Sequence, residues 1–415
     1  MVKKRVDVLV LNSNETITLD SPEIENGLGI IDNGGVAINQ GKIVLAASTD
    51  LLERKFRARR TISAEDEIIL PGFVDPHTHL VFAGARDSEF QLRIAGASYM
   101  EIFRRGGGII ETVNRTRQAS PESLFQLGKQ RLDTCLESGS TTVEIKSGYG
   151  LRADAELKIL RTVQRLGKNH PCNIVPTFMG AHAVPPGESS PEYVSSVVDE
   201  MLPKVAQAGL AEFCDVFCER GVFDSIESEK ILRKASKLGL RLKIHADQFT
   251  DCGGAELANK LHAISADHLI HSSAKQFGQM TKKGVTPVLL PSSSHSLLAG
   301  ENADARGMLG MGLPVALGTD FSPSNWMFGQ LTVAALASRE LRMNASEVIR
   351  GITINAARAL GLEKRIGSLH PGKRADIVTL RAPNHRWVGY TYGERVVDNV
   401  LIGGEPVVKD GKRIP

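Results

Sequence analysis

Between residues 68 and 320 short apolar runs alternate with helix-length amphipathic stretches. A chain with that rhythm folds as parallel strands covered by helices. The predicted strand bodies are Ile68–Val74, Thr141–Ile145, Asn173–Met179, Phe213–Phe217, Arg241–Ile244, Ala263–Ala266, Pro287–Leu290 and Pro314–Leu317. Helical periodicity is expected over Pro121–Glu137, Ala153–Leu166, Pro191–Ala208, Glu227–Leu238 and Gly254–Leu261, with a long helix Ser346–Leu360 stopped by Gly361. Eight strand–helix units predict an α/β fold, a (β/α)8 TIM barrel, whose chemistry sits at the C-terminal ends of its strands.

The two ends of the chain read differently. Val6–Asn12, Gly35–Asn39 and Lys42–Ala46 precede the barrel, with one brief helix at Thr49–Phe56; Ala375–Leu380, Val396–Ile402 and Pro406–Val408 follow it, with Gly403-Gly404 as a hairpin turn. Both ends are expected to pack together as one small β-sandwich, giving residues 1–65 and 371–415 to the sandwich and 66–370 to the barrel. A total of 50 basic and 47 acidic residues, dispersed along the chain, gives no support to a nucleic-acid or membrane-surface role. No stretch approaches the roughly 20 apolar residues that span a bilayer, and no apolar signal-peptide core follows Lys3-Lys4-Arg5. Five cysteines without CxxC spacing point to a reduced, cytoplasmic protein. Cys214 and Cys218 share a strand face but are read as buried, inert thiols.

Candidate chemistry gathers at the predicted strand ends. His77 and His79 close strand one with side chains on one face, since alternate residues of a strand point the same way. His182 follows strand three, His245 strand five, His268 and His271 strand six, and Asp320 strand eight. Neutral imidazole with carboxylate suits Zn²⁺ or Fe²⁺, and the absence of Cys at these ends disfavours a structural thiolate site. Three histidines and one aspartate would leave room for a water made acidic by the ion. His271 lies on the opposite strand face from His268 and is read as structural.

These residues carry a resemblance to the amidohydrolase superfamily and, within it, to the imidazolonepropionase family. The strings VFAGARDSEFQLRIAGASY (81–99), GGGI (106–109), TTVEIKSGYGL (141–151), PTFMGAHAVPP (176–186), CDVFCERGVF (214–223), KIHADQF (243–249) and SADHL (265–269) bear it. The resemblance implies one divalent metal per subunit, Zn²⁺ or Fe²⁺, held by His77, His79, His245 and Asp320. It implies a small-molecule substrate with a carboxylate tail, 4-imidazolone-5-propanoate, opened at its cyclic amide to N-formimidoyl-L-glutamate, and a homodimer. Arg86 would clamp the carboxylate, a task suited to a guanidinium. Tyr149 and His182 match further substrate contacts, and Gln248 an orienting amide that cannot titrate. Asp320 would take a proton from the attacking water, and His268 would polarise the ring carbonyl and assist the leaving nitrogen.

Lys146 closes strand two, so it is expected in an ion pair rather than bridging two metals; Glu219, after strand four, keeps a second-metal role open. Gly106-Gly107-Gly108 lacks the context of a phosphate loop and reads as a loop over the barrel mouth. The chain departs from the family at Phe321-Ser322-Pro323-Ser324-Asn325, where Asn325 could supply a displaced amide, and at His295, an added polar group near the pocket. The alternative readings are an aminohydrolase or another cyclic amidohydrolase of the same barrel, and a catalytically inactive scaffold. A clamp for a carboxylate argues against the first, four filled ligand positions against the second.

Overall fold

The computed structural model describes residues 3–20, 27–97 and 107–414. The N-terminal strands are β1 (Lys4–Ile17), β2 (Ile30–Asn39), β3 (Lys42–Ser48), β4 (Phe56–Ser63) and β5 (Glu67–Pro71). The barrel follows with β6 (Phe73–Asp75), β7 (Ser140–Lys146), β8 (Asn173–Ala181), β9 (Phe213–Cys218), β10 (Arg241–Ala246), β11 (Ser265–His268), β12 (Thr286–Leu289) and β13 (Ala316–Leu317). The C-terminal strands are β14 (Ile377–Arg381), β15 (Val397–Ile402), β16 (Glu405–Lys409) and β17 (Lys412–Arg413).

The two chain ends build one nine-stranded mixed sheet in the order β17-β16-β15-β14-β5-β1-β2-β3, with β4 also paired to β1. Its join is the antiparallel β5–β14 pair, Ile377 opposite Pro71 and Leu380 opposite Ile68. The period-2 pattern of β1 explains why both its faces are dry. Val8 and Val10 pack with Ile38, Ile69 and Ile377, whereas Leu9 and Leu11 pack with Ala37, Leu52 and Phe56.

Glu67, at the start of β5, has its carboxyl pushed up to about 8 by burial and by the Asp398 carboxylate. The fold therefore holds a proton that the unfolded chain has released between about pH 4.5 and 8. Stability then falls as pH rises through that window. Glu67→Gln is expected to flatten the decline of melting temperature between pH 5 and 8.5; parallel melting curves for parent and variant would refute it.

The apolar run Ile68–Val74 is not one strand. It breaks at Gly72, where β5 leaves the mixed sheet and β6 enters the barrel. A Cβ on Gly72 would lie 2.4 Å from Thr141 Oγ1, so only glycine lets the chain cross that close to β7. The eight barrel strands run parallel in sequence order from β6 to β13. The ring closes just past the ends of its first and last strands: Asp320 N–H donates to His77 O (3.0 Å), and His79 N–H to Phe321 O (2.8 Å).

The long helix expected over Ser346–Leu360 is two helices, Ala345–Gly351 and Ile354–Ala359, broken at Thr353, whose hydroxyl donates back to Ile349 O. The Pro191–Ala208 stretch contains a π-helical turn, Val197–Met201, next to Pro203, which lacks the N–H that a regular α-helix needs there. Six of the described α-helices escaped the periodicity reading: Asp87–Ile94, Ile109–Gln118, Ala274–Lys283, Pro291–Leu297, Ala305–Gly310 and Gln330–Glu340. Ala274–Lys283 buries only Phe277 and Met280 as large apolar groups, and Gln330–Glu340 is apolar nearly all round. Of the glycine loop, Gly106 lies outside the described residues, and Gly108 (φ +79°) enters the helix Ile109–Gln118. No described helix is long and apolar enough to cross a membrane.

Candidate active site

The closing seam brings both ends of the barrel to one point. His77 and His79 come from just beyond β6, Asp320 from just beyond β13, and His245 from the end of β10 across the ring. The ligand atoms of His77, His79 and His245 lie within 4.8 Å of one another. Asp320 Oδ1 stands 3.5 Å from His77 Nε2 and 3.7 Å from His79 Nε2. Among the described residues, the buried Nε2 atoms of His77 and His245 have no hydrogen-bond partner. Buried polar atoms are ordinarily satisfied, and His77 Nε2 faces the Asp320 carboxylate, so these unpaired nitrogens fit a divalent cation beside them.

The outward nitrogens of His77 and His245 are anchored. His77 Nδ1 pairs with Asp267 Oδ2 at 2.6 Å, and His245 Nδ1 with Asp215 Oδ2 at 3.0 Å. With both Nδ1 atoms protonated, both Nε2 atoms are free to bind an ion, the usual arrangement of a carboxylate–histidine–metal relay. Burial drives the basicity of His77 and His79 well below the ordinary imidazole value, keeping them neutral. Burial also pushes Asp320 up to about 7, against a hydrogen bond from Ser293. Asp320 (φ +49°) and His268 (φ +76°) occupy left-handed backbone that non-glycine residues seldom adopt. Asn325 helps hold the first of these, its Nδ2 donating to Thr319 O (2.9 Å) and Asp320 O (3.1 Å).

One cavity gathers the other candidates. Arg86, Tyr149, His182, Gln248 and His268 line it together with His79, His245, Asp320, Ser322 and Ser324. The Arg86 Nε donates to Thr112 Oγ1 at 3.0 Å. His182 stacks on His79 with ring centroids 4.8 Å apart and an interplanar angle of 19°. Its Nδ1 contacts Gly148 O at 3.2 Å, and burial, with His245 and Arg86 nearby, pushes its pKa down to about 3. The loop after His79 is fixed by Arg131, which donates to Leu80 O (2.7 Å) and Phe82 O (2.8 Å).

Several sequence candidates lie elsewhere. His295 pairs with Glu340 at 2.9 Å and does not line the cavity. Asn325 is committed to the backbone carbonyls it braces. His271 faces Glu301 at 3.5 Å. Glu219 accepts from Phe249 N–H (2.8 Å) and Thr250 N–H (3.3 Å), which latches the loop after β10. Cys214 and Cys218 are buried free thiols, and Cys218 Sγ lies 4.0 Å from Cys252 Sγ.

Sequence reasoning missed Asp75, Glu144, Asp215, Lys243, Asp267 and Thr319. Asp75 accepts from Thr319 Oγ1 (2.6 Å) and Thr319 N–H (3.1 Å), tying β6 to β13; burial raises it to about 6. Glu144, Asp215, Lys243 and Asp267 are fully buried around Lys146. The signal was a charge two residues from a recognised polar group, hence on the same strand face: Asp75 before His77, Glu144 before Lys146, Lys243 before His245.

The profile of the amidohydrolase family matches residues 68–407. Imidazolonepropionase of Geobacillus kaustophilus is 47% identical, covering 93% of this chain and 92% of the relative. The enzyme of the same name from Alkaliphilus metalliredigens is 42% identical over 99% and 100% of the two chains. The chain belongs to the imidazolonepropionase family of amidohydrolases. Among solved structures, a zinc-bound adenosine deaminase from Xanthomonas campestris superposes with a TM-score of 0.76 at 20% identity, covering 100% of this chain and 95% of its own. Atrazine chlorohydrolase from Arthrobacter aurescens, also with zinc, gives 0.71 at 18% identity, covering 98% and 96%. Those two likenesses bear on the fold alone.

Proposed function

We propose that the cavity binds 4-imidazolone-5-propanoate and that the chain hydrolyses its cyclic amide to N-formimidoyl-L-glutamate, a step of histidine degradation. The observation that carries this reading is the meeting of two half-sites in one cavity. His77, His79 and His245 gather beside the Asp320 carboxylate, and a guanidinium, a phenol and an imidazole line the same cavity. His77, His79, His245 and Asp320 would hold a single divalent cation, Zn²⁺ or Fe²⁺, both of which suit nitrogen and carboxylate donors. When bound, such a cation lowers the pKa of a coordinated water toward neutrality.

The chain's own groups do the rest. Arg86 binds the propanoate carboxylate through paired N–H donors, Tyr149 donates to a ring or tail oxygen, and neutral His182, its Nδ1–H given to Gly148 O, accepts from a ring N–H, which fixes the amide carbon over the histidines. Gln248 orients the ring by its amide. A neutral His268 donates an N–H to the ring carbonyl oxygen and stabilises the negative charge that grows there. Asp320 takes the water proton on its carboxylate. The C–N bond then breaks and, with help from His268, the nitrogen leaves protonated. Ser322 and Ser324 border the ring end of the cavity. We place the enzyme in the cytosol as a homodimer: five free cysteines suit a reducing compartment, and the dimer is what the family resemblance implies.

The test is direct. Metal-supplemented protein incubated with freshly made imidazolone propionate should consume it, read as loss of ring absorbance, and leave adenosine untouched. Turnover of the purine with none of the imidazolone would overturn the assignment.

A further inference from the structure

Beneath the three histidines the barrel encloses a charge cluster that the hydrolytic mechanism does not use. Lys146 Nζ lies 2.7 Å from Asp215 Oδ2, 2.9 Å from Glu144 Oε2 and 3.7 Å from Asp267 Oδ2. Lys243 Nζ donates to Glu144 Oε2 (3.0 Å) and to Pro76 O (2.8 Å), the carbonyl that precedes His77, and stands 3.7 Å from Asp267 Oδ2. Ser265 Oγ donates to Asp267 Oδ1 at 2.6 Å. Every one of these side chains is wholly shielded from solvent.

Asp267 and Asp215 are the carboxylates that accept from His77 Nδ1 and His245 Nδ1. A carboxylate oxygen held by an ammonium keeps a fixed position, and an imidazole that donates to it through Nδ1 is fixed in turn with Nε2 on the opposite side of the ring. Loss of that anchor would let the ring turn its Nε2 away from the shared point. One ammonium, Lys146, touches both carboxylates, so both histidines depend on it. Lys243 adds a grip on Asp267 and on the backbone leading into His77.

We propose that Lys146, assisted by Lys243, is the positioning residue that holds His77 and His245 in the Nδ1–H tautomer with Nε2 aimed at the ion. The inference rests on the metal reading given above. It assigns work to lysines that would otherwise be only structural ion pairs.

The test compares parent, Lys146→Met and Thr177→Val, all loaded with Co²⁺. Thr177 donates to Glu144 on the far side of the cluster, so its loss removes a buried contact without touching either aspartate. Lys146→Met should hold Co²⁺ about 10–100-fold more weakly in chelator competition, the range seen when partners of metal ligands are lost. Its visible absorption bands should shift. Thr177→Val should lower the melting temperature while leaving affinity and spectrum at parent values. Should Lys146→Met fail to fold, long-range ¹H–¹⁵N correlation on the histidine-labelled, metal-free parent decides the matter. Nδ1–H on both His77 and His245 supports the proposal, and Nε2–H on either overturns it. Parent protein that takes up no Co²⁺ would refute the metal reading itself. A Lys146→Met protein with parental affinity and spectrum would refute the lysine's role alone.

Discussion

An Asp320→Asn enzyme will turn over imidazolone propionate about 10²–10⁴-fold more slowly than its parent, the usual scale for loss of a positioned proton acceptor. Asparagine keeps the size of the side chain, and the backbone bond from residue 320 to His77 O that closes the barrel needs no carboxylate. The melting temperature should therefore stay close to that of the parent. The neutral amide cannot accept the water proton, and it faces His77 and His79 with an uncharged oxygen, so bound metal should also fall. Steady-state rates, elemental analysis and a thermal scan on one preparation check all three statements. A rate within tenfold of the parent would remove Asp320 from proton transfer.

Arg86→Ala should act through binding. Two charge-assisted hydrogen bonds to a carboxylate, at about 1.5–3 kcal/mol each, correspond to a loss of about 10²–10⁴ in kcat/KM. Most of that loss should appear as a raised KM, with metal content unchanged. Lysine at the same position should recover only part of it, because a point ammonium cannot reproduce the planar fork. A substrate analogue lacking the propanoate tail should barely distinguish parent from variant. Metal content that fell in step with kcat/KM would mean that Arg86 supports the loop after His79 instead of meeting substrate.

The barrel was legible because most of its strands lie in brief apolar runs and most are followed by a recognisable helix. The pair His77 and His79 was legible because a spacing of two keeps side chains on one face of extended backbone, although both lie just past β6. Asp320 was legible because it follows the last apolar run. What stayed hidden has two physical origins. The first is continuity: Ile68–Val74 contains no polar interruption, and only the clearance at Gly72 reveals that the run serves two sheets. The second is long-range pairing. Asp215 and Asp267 look like ordinary strand polar residues until the fold sets each against a histidine that is 30 positions away in one case and 190 in the other. Local pattern likewise could not place Asn325 or His295. A polar side chain close to the site in sequence can as readily brace backbone, as Asn325 does, or pair with a half-buried glutamate, as His295 does with Glu340.

The seam between β6 and β13 has a broader implication. In a cylinder of staves, the hoop holds only where its two ends meet, and in this molecule the chemistry occupies that clasp. Anything that slackens the joint between the first stave and the last slackens the reaction centre by the same motion, so durability and rate will change together.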